Sequence, residues 1–442
     1  MKSPGIANSS TCWPPSVQGT PRIAFAWLMW GATALFVLFQ FFLQLSSGEI
    51  VNGLMKSFSL SAFGGGILAS SYYYIYVMLQ TPAGLLIDRF GPRRLLSLGA
   101  LICAFGCLLF GSAHLLIWAI IGRLLMGFGA AFAFVGSLNV IAKWFPPKRF
   151  VLMAAVAETI GMSGTLVGGF FLADFVQCMG WRYSMIGAAA IVFIIAGLVW
   201  MIVRDAPPDQ ISLSSKKSFQ SVRQDFYLLI KKPKIWLNGL YSGLMFSIIT
   251  VFVALWAIPY MQLAHHLSLV MASVVCNMVF IGVVLAGPLL GWLDSRITDR
   301  RWLLLSCSLV SAGLIGVIIY VPQLPLPMVM SVMMLLGMFA SGYVLTFGIA
   351  NEIVPRHMRG TSLGLVNALS VGFAPLLQPI IGLVLHLTAR SVTNVGEYYS
   401  IHNYQEALTL IPLLILIAGI LTKWMPVREK DNFLKKSDKF YF

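Results

Sequence analysis

The sequence predicts an all-α integral membrane protein with twelve transmembrane helices, arranged as two related six-helix bundles. Three observations lead to this prediction. Hydrophobic residues make up 58% of the 442 residues and charged residues only 10%, whereas soluble domains average about 25% charged. Apolar runs long enough to cross a bilayer recur along the whole chain. One polar motif also occurs twice, at corresponding places in the two halves, which is typical of membrane proteins built from an internal repeat.

The predicted spans are numbered 1 to 12 in chain order, each with about 20 mostly apolar residues. Spans 1 to 6 cover residues 24–46, 61–86, 94–112, 115–142, 150–174 and 182–203. Spans 7 to 12 cover residues 235–261, 268–293, 302–320, 327–351, 360–387 and 404–424. These limits divide the chain into an N-terminal tail (1–23), an N-terminal bundle (24–203), a linker (204–234), a C-terminal bundle (235–424) and a C-terminal tail (425–442).

The positions of the basic residues predict the orientation in the membrane. The chain has 30 Lys and Arg residues and a formal net charge of +15. If both termini are cytoplasmic, 26 of these residues lie on the cytoplasmic side, Arg123 lies within a span, and three lie outside: Lys56, Arg182 and Arg390. Lys and Arg favour the cytoplasmic side, so we expect both termini there. Because the basic residues punctuate apolar runs and form no single patch, a nucleic-acid partner is not expected.

The repeated motif lies between spans 2 and 3, where Gly84 to Arg94 read GLLIDRFGPRR. The glycines allow close helix packing, the Gly-Pro pair breaks the helix, and the arginines favour the cytoplasmic side. The second copy, GWLDSRITDRR, runs from Gly291 to Arg301, with Ser295 at the position of Asp88.

Together with GRLLMGFGAA (Gly122 to Ala131), KWFPPKRF (Lys143 to Phe150) and GWR at 180–182, this motif resembles the major facilitator superfamily of secondary transporters. The resemblance covers about residues 22–425. YYYIYVMLQTPAGLLIDRFGPRR and FAFVGSLNVIAKWFPPKRF are similar, more narrowly, to a bacterial branch of nutrient importers that includes phagosomal-type transporters and siderophore importers. The resemblance implies a monomer in the bacterial inner membrane that imports an amino acid, peptide, nucleoside or siderophore by alternating access, coupled to protons.

The resemblance also implies a cytoplasmic gate. In that gate Asp88 caps the start of span 11, where a negative charge favours the helix N-terminus, and pairs with a basic residue such as Arg149. Since Ser295 replaces the acidic residue in the second copy, we expect the N-terminal half to carry most of the gate. The predicted gate residues are Gly84, Asp88, Arg89, Gly91, Arg93, Arg149, Arg296 and Arg300.

Arg123 in span 4 and Glu158 in span 5 are the only charged residues well inside any predicted span. A charge at that depth costs several kcal/mol unless it is paired or hydrated, so both are functional candidates. We expect Glu158 to bind a proton or a substrate amine, with Arg123 as its partner or as an anion contact. A fixed ion pair between the two spans is the alternative. Glu49 is assigned to the outer end of span 1, and a span 1 without a carboxylate leaves uniport or exchange open.

Spans 1, 4, 7 and 10 line the central cavity in this superfamily, so polar and aromatic residues at helical spacing on these and neighbouring spans are the predicted substrate contacts. Amides and phenols can hydrogen-bond an uncharged or zwitterionic solute without desolvating a fixed charge. Bonding to a neighbouring helix is the alternative role for each side chain. The predicted set is Phe36, Gln40, Gln44, Tyr72, Tyr76, Gln80, Asn238, Tyr241, Asn277, Tyr343, Phe347, Asn367 and Gln378.

Other classes of function have little support in the sequence. It contains no HExxH or ATP-binding motif, so neither an enzyme nor an ATP-driven pump is predicted. The six cysteines form no CxxC motif or Cys/His cluster, so we expect no metal and no cofactor. The expected partners are a small solute, protons and the lipid bilayer. Efflux of a drug or metabolite, and a receptor that does not transport, are the alternatives.

Overall fold

The computed structural model describes residues 20–145, 149–205, 226–297, 299–355, 358–389, 392–393, 396–397 and 399–426. This part of the chain is helical apart from short loops and one hairpin, in which β1 (Val392–Thr393) pairs antiparallel with β2 (Gly396–Glu397). The outer parts of both predicted tails and most of the predicted linker lie outside the described residues. The predicted limits of these segments therefore stay predictions.

Helices fill all six predicted spans of the N-terminal half. Span 1 is Thr20–Leu45, span 2 is Ala62–Phe90, span 3 is Pro92–Gly111, and span 4 consists of Leu116–Ala130 and Ala133–Trp144. Spans 5 and 6 are the two arms of Phe150–Ile202, which bend at Gly180. The backbone there has φ 82°, a value that favours glycine. The short helix Val51–Phe58, between spans 1 and 2, was not predicted.

The C-terminal half contains more irregular helices. Span 7 is Pro233–Ser247, a π-helical segment Ile248–Trp256, and Ala257–Ala264. Span 8 is Leu269–Arg296, span 9 is Arg300–Tyr320, and span 10 is Leu326–Ala340, a 3₁₀ turn Ser341–Tyr343, and Val344–Ile353. Span 11 is Arg359–Gly372 and Ala374–Thr388, and span 12 is Ile401–Leu408, Leu410–Leu421 and Thr422–Trp424.

Ten helical stretches of the described chain are long and apolar enough to cross a membrane. One of them, Val156–Ile202, includes both arms of Phe150–Ile202 and so counts as two spans. The ten do not include Ala62–Phe90, whose 29 residues are also long enough to cross a bilayer at about 1.5 Å per residue. With these two additions the number of spans is the predicted twelve. The prediction of a twelve-helix membrane fold is therefore confirmed.

Span 1 begins and span 12 ends at the same face of the structure, called here the terminal face, and the opposite face is called the far face. Several hydrogen bonds between the two halves cluster at the far face. The backbone N–H of Gly48 donates to the carbonyl of Ala254 at 2.8 Å. The amide of Asn52 donates to Gln262 at 3.1 Å. Nearby, the N–H of Ala62 donates to the hydroxyl of Tyr399 at 2.9 Å. The far face is closed in this structure.

Candidate functional site

A narrow cavity lies between the two halves. Its volume is about 20 Å³, room for roughly one water molecule. Both halves line it with aromatic and uncharged polar side chains, and Glu158 is the one charged residue among the described lining residues. The lining residues are Phe41, Gln44, Tyr76, Phe134 and Glu158 from the first half and Phe246, Tyr343, Phe347, Asn367, Ser370 and Val371 from the second. The cavity must widen before it can admit an organic solute.

The structure brings six of the predicted site residues together at this cavity: Gln44, Tyr76, Glu158, Tyr343, Phe347 and Asn367. Five other lining residues were not predicted, and three of these are phenylalanines. The sequence could not single out Phe41, Phe134 and Phe246. An apolar aromatic residue in a membrane helix has the same sequence pattern whether it packs against a neighbouring helix or faces a cavity. Ser370 and Val371 share a helix with Asn367, and their nearness to it was the available signal.

Irregular helix geometry shapes the C-terminal side of the cavity. Tyr343 ends the 3₁₀ turn of span 10, and its ring centroid lies 4.6 Å from that of Phe246. Phe246 lies just before the π-helical segment of span 7. Both departures interrupt the regular α-helical turn, a feature frequently found at functional sites. On the opposite wall, Tyr76 stacks on Tyr72 with centroids 5.6 Å apart. Tyr76 and Tyr343 therefore line the cavity from different halves, and each packs against a second aromatic ring of its own half.

Glu158 is the ninth residue after Arg149, the N-cap of span 5, which places it roughly 13 Å along the helix at 1.5 Å per residue. Its side chain is half-buried and lines the cavity together with Tyr76 and Tyr343. It makes no hydrogen bond to any other described residue. A lone carboxyl in such a place can bind a proton or contact a cationic group.

Arg123 has a different environment, which corrects its expected pairing with Glu158. It is 2% exposed. Its guanidinium donates to the hydroxyl of Ser47 and to the carbonyl of Ala69, both at 2.8 Å. It also lies over the Tyr72 ring, 5.4 Å from the centroid. These groups tie span 4 to the end of span 1 and to span 2. The acceptors already engage the guanidinium, and there is no ion pair between Arg123 and Glu158, although both are described.

Several predicted substrate residues instead bond to neighbouring helices. Within the C-terminal half, Asn238 donates to the carbonyl of Thr346 at 2.9 Å, Tyr241 to that of Leu304 at 2.8 Å, and Gln378 to that of Thr250 at 2.7 Å. Two more join the halves: Asn277 donates to the carbonyl of Leu166 at 3.4 Å, and Gln80 accepts from Asn367 at 3.2 Å. The rest, Phe36, Gln40 and Tyr72, are buried within the N-terminal half.

In the predicted gate, Arg93 ties span 3 to the end of span 6. Its backbone N–H donates to Asp205 at 3.0 Å, and its Nε donates to the carbonyl of Trp200 at 2.9 Å. Gly91 has φ 86°, and a Cβ there would overlap the carboxylate of Asp205. Asp205 was not predicted to take part in the gate. It belongs to the same half as Arg93, so these contacts hold one bundle together.

In the second copy of the motif, the equivalent contact is made one residue further along the chain than the alignment of the two copies indicates. Arg301, not Arg300, donates through its Nε to a carbonyl at the end of its half, that of Met425, at 2.7 Å. Arg300 is 2% exposed and contacts Glu352 at 2.7 Å and Asp294 at 3.5 Å. Asp299, the N-cap of span 9, lies eight residues after Gly291, whereas Gly91 lies seven after Gly84, and this added residue shifts the contacts.

The positions of the remaining gate residues do not test the predicted pairing of Asp88 with Arg149. Arg89, Arg149 and Arg296 are exposed, and Gly84 would meet only Val135 among described neighbours. The side chain of Asp88 lies outside the described residues. The pairing of Asp88 with Arg149 and the stronger N-terminal half therefore stay predictions.

Twelve spans in two halves with a polar cavity between them define a multi-pass membrane transporter. The sequence model of the Major Facilitator Superfamily matches residues 24–379, and the chain belongs to that superfamily. This confirms the predicted superfamily, whereas the narrower importer branch stays a prediction.

Similar proteins are transporters as well. The chain is 23% identical over 407 residues to the probable galactarate/D-glucarate transporter GudP of Escherichia coli K12, covering 83% of this chain and 88% of that protein. It is 24% identical over 421 residues to the probable L-galactonate transporter of the same strain, covering 89% and 88%.

Among solved structures, a bacterial homolog of the human lysosomal transporter Spinster, in an inward-facing and occupied conformation, has a TM-score of 0.72 at 16% identity and covers 89% of this chain and 95% of its own. A D-xylose-proton symporter has a TM-score of 0.70 at 16% identity, covering 91% and 98%. At this identity the structures show the fold alone.

Proposed function

We propose that the protein imports a small polar organic nutrient by alternating access, coupled to protons, through the bacterial inner membrane. The single observation that carries this proposal is the cavity between the halves, where phenols, amides and one carboxyl group meet. Rocking of the two halves would expose this cavity to each side in turn. The distribution of basic residues supports cytoplasmic termini, so the closed far face would be the outer face.

The charge of the cavity supports a solute that carries an amine. Among the described residues, Glu158 is its one charged lining residue, and no Lys or Arg lines it. Arg123 is engaged by Ser47 and Ala69. A carboxylate can pair with an ammonium group, whereas a diacid calls for arginines that face it. Of the predicted classes, an amino acid or short peptide therefore fits best, ahead of a nucleoside or a siderophore.

A sugar acid is the second candidate cargo. It is supported by the similarity to GudP, a probable galactarate/D-glucarate transporter, and to the probable L-galactonate transporter, each similar over most of both chains.

For proton coupling we propose that Glu158 carries the proton. Tyr76 and Tyr343 lie at the same cavity from opposite halves, so closure around a solute would remove water from the carboxyl group. Burial disfavours the charged form, so the group would take up a proton or pair with the solute amine. Either event links the protonation of Glu158 to the movement of the halves.

Uptake into proteoliposomes tests the proposal. The cargo panel is a set of amino acids, a dipeptide, thymidine and galactarate, each with and without an inside-alkaline pH gradient. We expect pH-driven accumulation of an amine-bearing solute. Glu158→Gln should abolish that accumulation, whereas Asp174→Asn, an exposed acid on the same span, should not.

Other outcomes separate the alternatives. Accumulation of galactarate alone would favour the sugar-acid candidate, and accumulation only in inside-out vesicles would favour efflux. Binding without flux would indicate a receptor. Wild-type pH-driven uptake by Glu158→Gln would refute the coupling role.

A further inference from the structure

Glu49 is a buried carboxyl group at the far face. It follows span 1 and is 6% exposed. Its Oε1 accepts a hydrogen bond at 3.3 Å from the hydroxyl of Ser273, on span 8 of the other half. A Cβ added to Gly169, on span 5, would lie 3.0 Å from the same oxygen. The sequence placed Glu49 at the end of a span without a role, but the structure encloses it between the two halves.

Few hydrogen bonds are available to an ionised Glu49. The hydroxyl of Ser273 has one proton, and two acceptors compete for it: Glu49 and the carbonyl of Gly169, each at 3.3 Å. Asn277 donates to the same hydroxyl oxygen at 3.4 Å. If Glu49 is protonated it can donate to Ser273, which then donates to Gly169. If Glu49 is ionised, the hydroxyl proton of Ser273 is the one hydrogen bond it receives from another described residue, which is costly for a buried charge.

Within the part of the chain that the structure describes, no cation forms an ion pair with Glu49. Its Oε2 is buried and has no hydrogen-bond partner among the described residues. Burial raises the pKa of the Glu49 carboxyl to about 8. The titratable or charged groups toward the far face on the surrounding elements include Lys56 on the helix Val51–Phe58, Cys276 on span 8, Asp174 and Cys178 on span 5, Arg123 on span 4, Tyr260 on span 7, and His265 and His266 after it. Of these, Cys276 lies close enough for an electrostatic interaction with Glu49, and burial lowers the pKa of His265.

Opening of the far face would change these surroundings. Gly48, the residue before Glu49, donates its N–H to the carbonyl of Ala254 in the other half. Opening of the far face would break this hydrogen bond and separate the two halves beside Glu49. Spans 5 and 8 would then separate on either side of Glu49 and let water reach it. A hydrated glutamate has a pKa of about 4.3.

We propose that Glu49, with Ser273 and Gly169, forms a proton-binding site of the far-face gate that is occupied when the gate is closed and empty when it is open. This inference rests on the alternating access proposed above. The proton enters from and returns to the far side, so the site sets the pH dependence of the gate and moves no charge across the membrane. In this respect it differs from Glu158.

The sign of the pH effect follows from proton linkage. The closed state binds more protons than the open state, so acid favours closure. The full effect is present below about pH 4.3 and is lost as the pH rises through about 8. Between these values the ratio of open to closed gates should rise by up to about tenfold per pH unit.

The distance between spin labels across the gate tests the proposal. Lys56→Cys and Met271→Cys place labels at exposed positions on opposite halves, in full-length protein with Cys12 and Cys178 replaced by serine. Double electron–electron resonance in nanodiscs, from pH 5.5 to 8.5, should show the longer distance gaining population as the pH rises. Glu49→Gln, which mimics the protonated form, should stay closed at every pH.

The controls separate this gate from the transport proposal. Glu406→Gln changes a more exposed acid of the far side and should keep the wild-type pH response. A wild-type distance that does not change with pH would overturn the inference, and so would a wild-type pH response in Glu49→Gln. Because the measurement needs no cargo, a wrong cargo leaves it unaffected.

Discussion

Spans 2 and 11 approach closely at the far face, and Gly66→Ala should therefore oppose closure of that face. A Cβ on Gly66 would lie 2.7 Å from the carbonyl oxygen of Gln378 and 3.0 Å from the Cα of Pro379. The first distance is about 0.7 Å less than the 3.4 Å at which ordinary contact begins. Both neighbours are backbone atoms, so no side-chain rotation can relieve the overlap, and the helices must move apart.

The expected magnitude follows from this overlap. Overpacking of this kind typically costs about 1–3 kcal/mol. The two helices belong to different halves, so the cost applies only while the far face is closed. The ratio of closed to open protein should therefore fall by about 5- to 150-fold. Gly382→Ala should act in the same direction, because its Cβ would overlap the carbonyl of Ala62.

The labels at positions 56 and 271 report this change as a gain of the longer distance at fixed pH. Gly364→Ala is the matched control, since it adds the same methyl group to span 11 at a place with nothing within 4 Å. It should leave the distance distribution unchanged. If Gly66→Ala and Gly382→Ala both gave the wild-type distribution while remaining folded, the close approach of spans 2 and 11 would not control the gate.

Three further substitutions test contacts away from the far face. Arg123→Gln should lower the thermal unfolding midpoint, because the hydrogen bonds to Ser47 and Ala69 are charge-assisted and worth about 1.5–3 kcal/mol each; an unchanged midpoint in fluorescence-monitored unfolding would contradict this. Glu352→Gln should cost only about 1 kcal/mol despite its 2.7 Å contact with Arg300, since the Glu352 side chain is 40% exposed; a loss of folded protein would show that the pair matters far more. Asn367→Ala removes the hydrogen bond to Gln80, which is worth about 1 kcal/mol. The ratio of open to closed protein at the terminal face should therefore rise roughly fivefold, as measured with spin labels on that face. Asn403→Ala, whose contacts stay within one half, is the control.

The spans could be predicted from the sequence because each one depends on local composition. A run of apolar residues must be helical in a bilayer whatever surrounds it, so even the irregular span 10 was placed within a few residues. The π-helical segment Ile248–Trp256 and the break between Ala130 and Ala133 have no local signal of this kind, since tertiary packing determines them. The short helix Val51–Phe58 was missed because it is too short to register as a span.

The site could be predicted only in part, because the role of a polar side chain depends on what lies opposite it. Gln44 and Asn238 have the same amide chemistry, and both lie on predicted cavity helices. Gln44 faces the cavity, whereas Asn238 meets the carbonyl of Thr346. The sequence does not record the rotation of one helix against its neighbour that decides between these outcomes.

Glu49 and Arg123 extend the same reasoning to charged residues. Depth in the sequence singled out Arg123, yet carbonyl and hydroxyl acceptors surround it and hold two neighbouring spans in place. Glu49 was set aside because it lies beyond the end of a span, yet it contacts a hydroxyl group of the other half and forms no ion pair with any described residue. A charged group changes its protonation with the movement of the halves only if that movement changes its surroundings. Position between the halves, which Glu49 and Glu158 share and Arg123 lacks, is therefore a better guide to a proton site in this fold than depth along a helix.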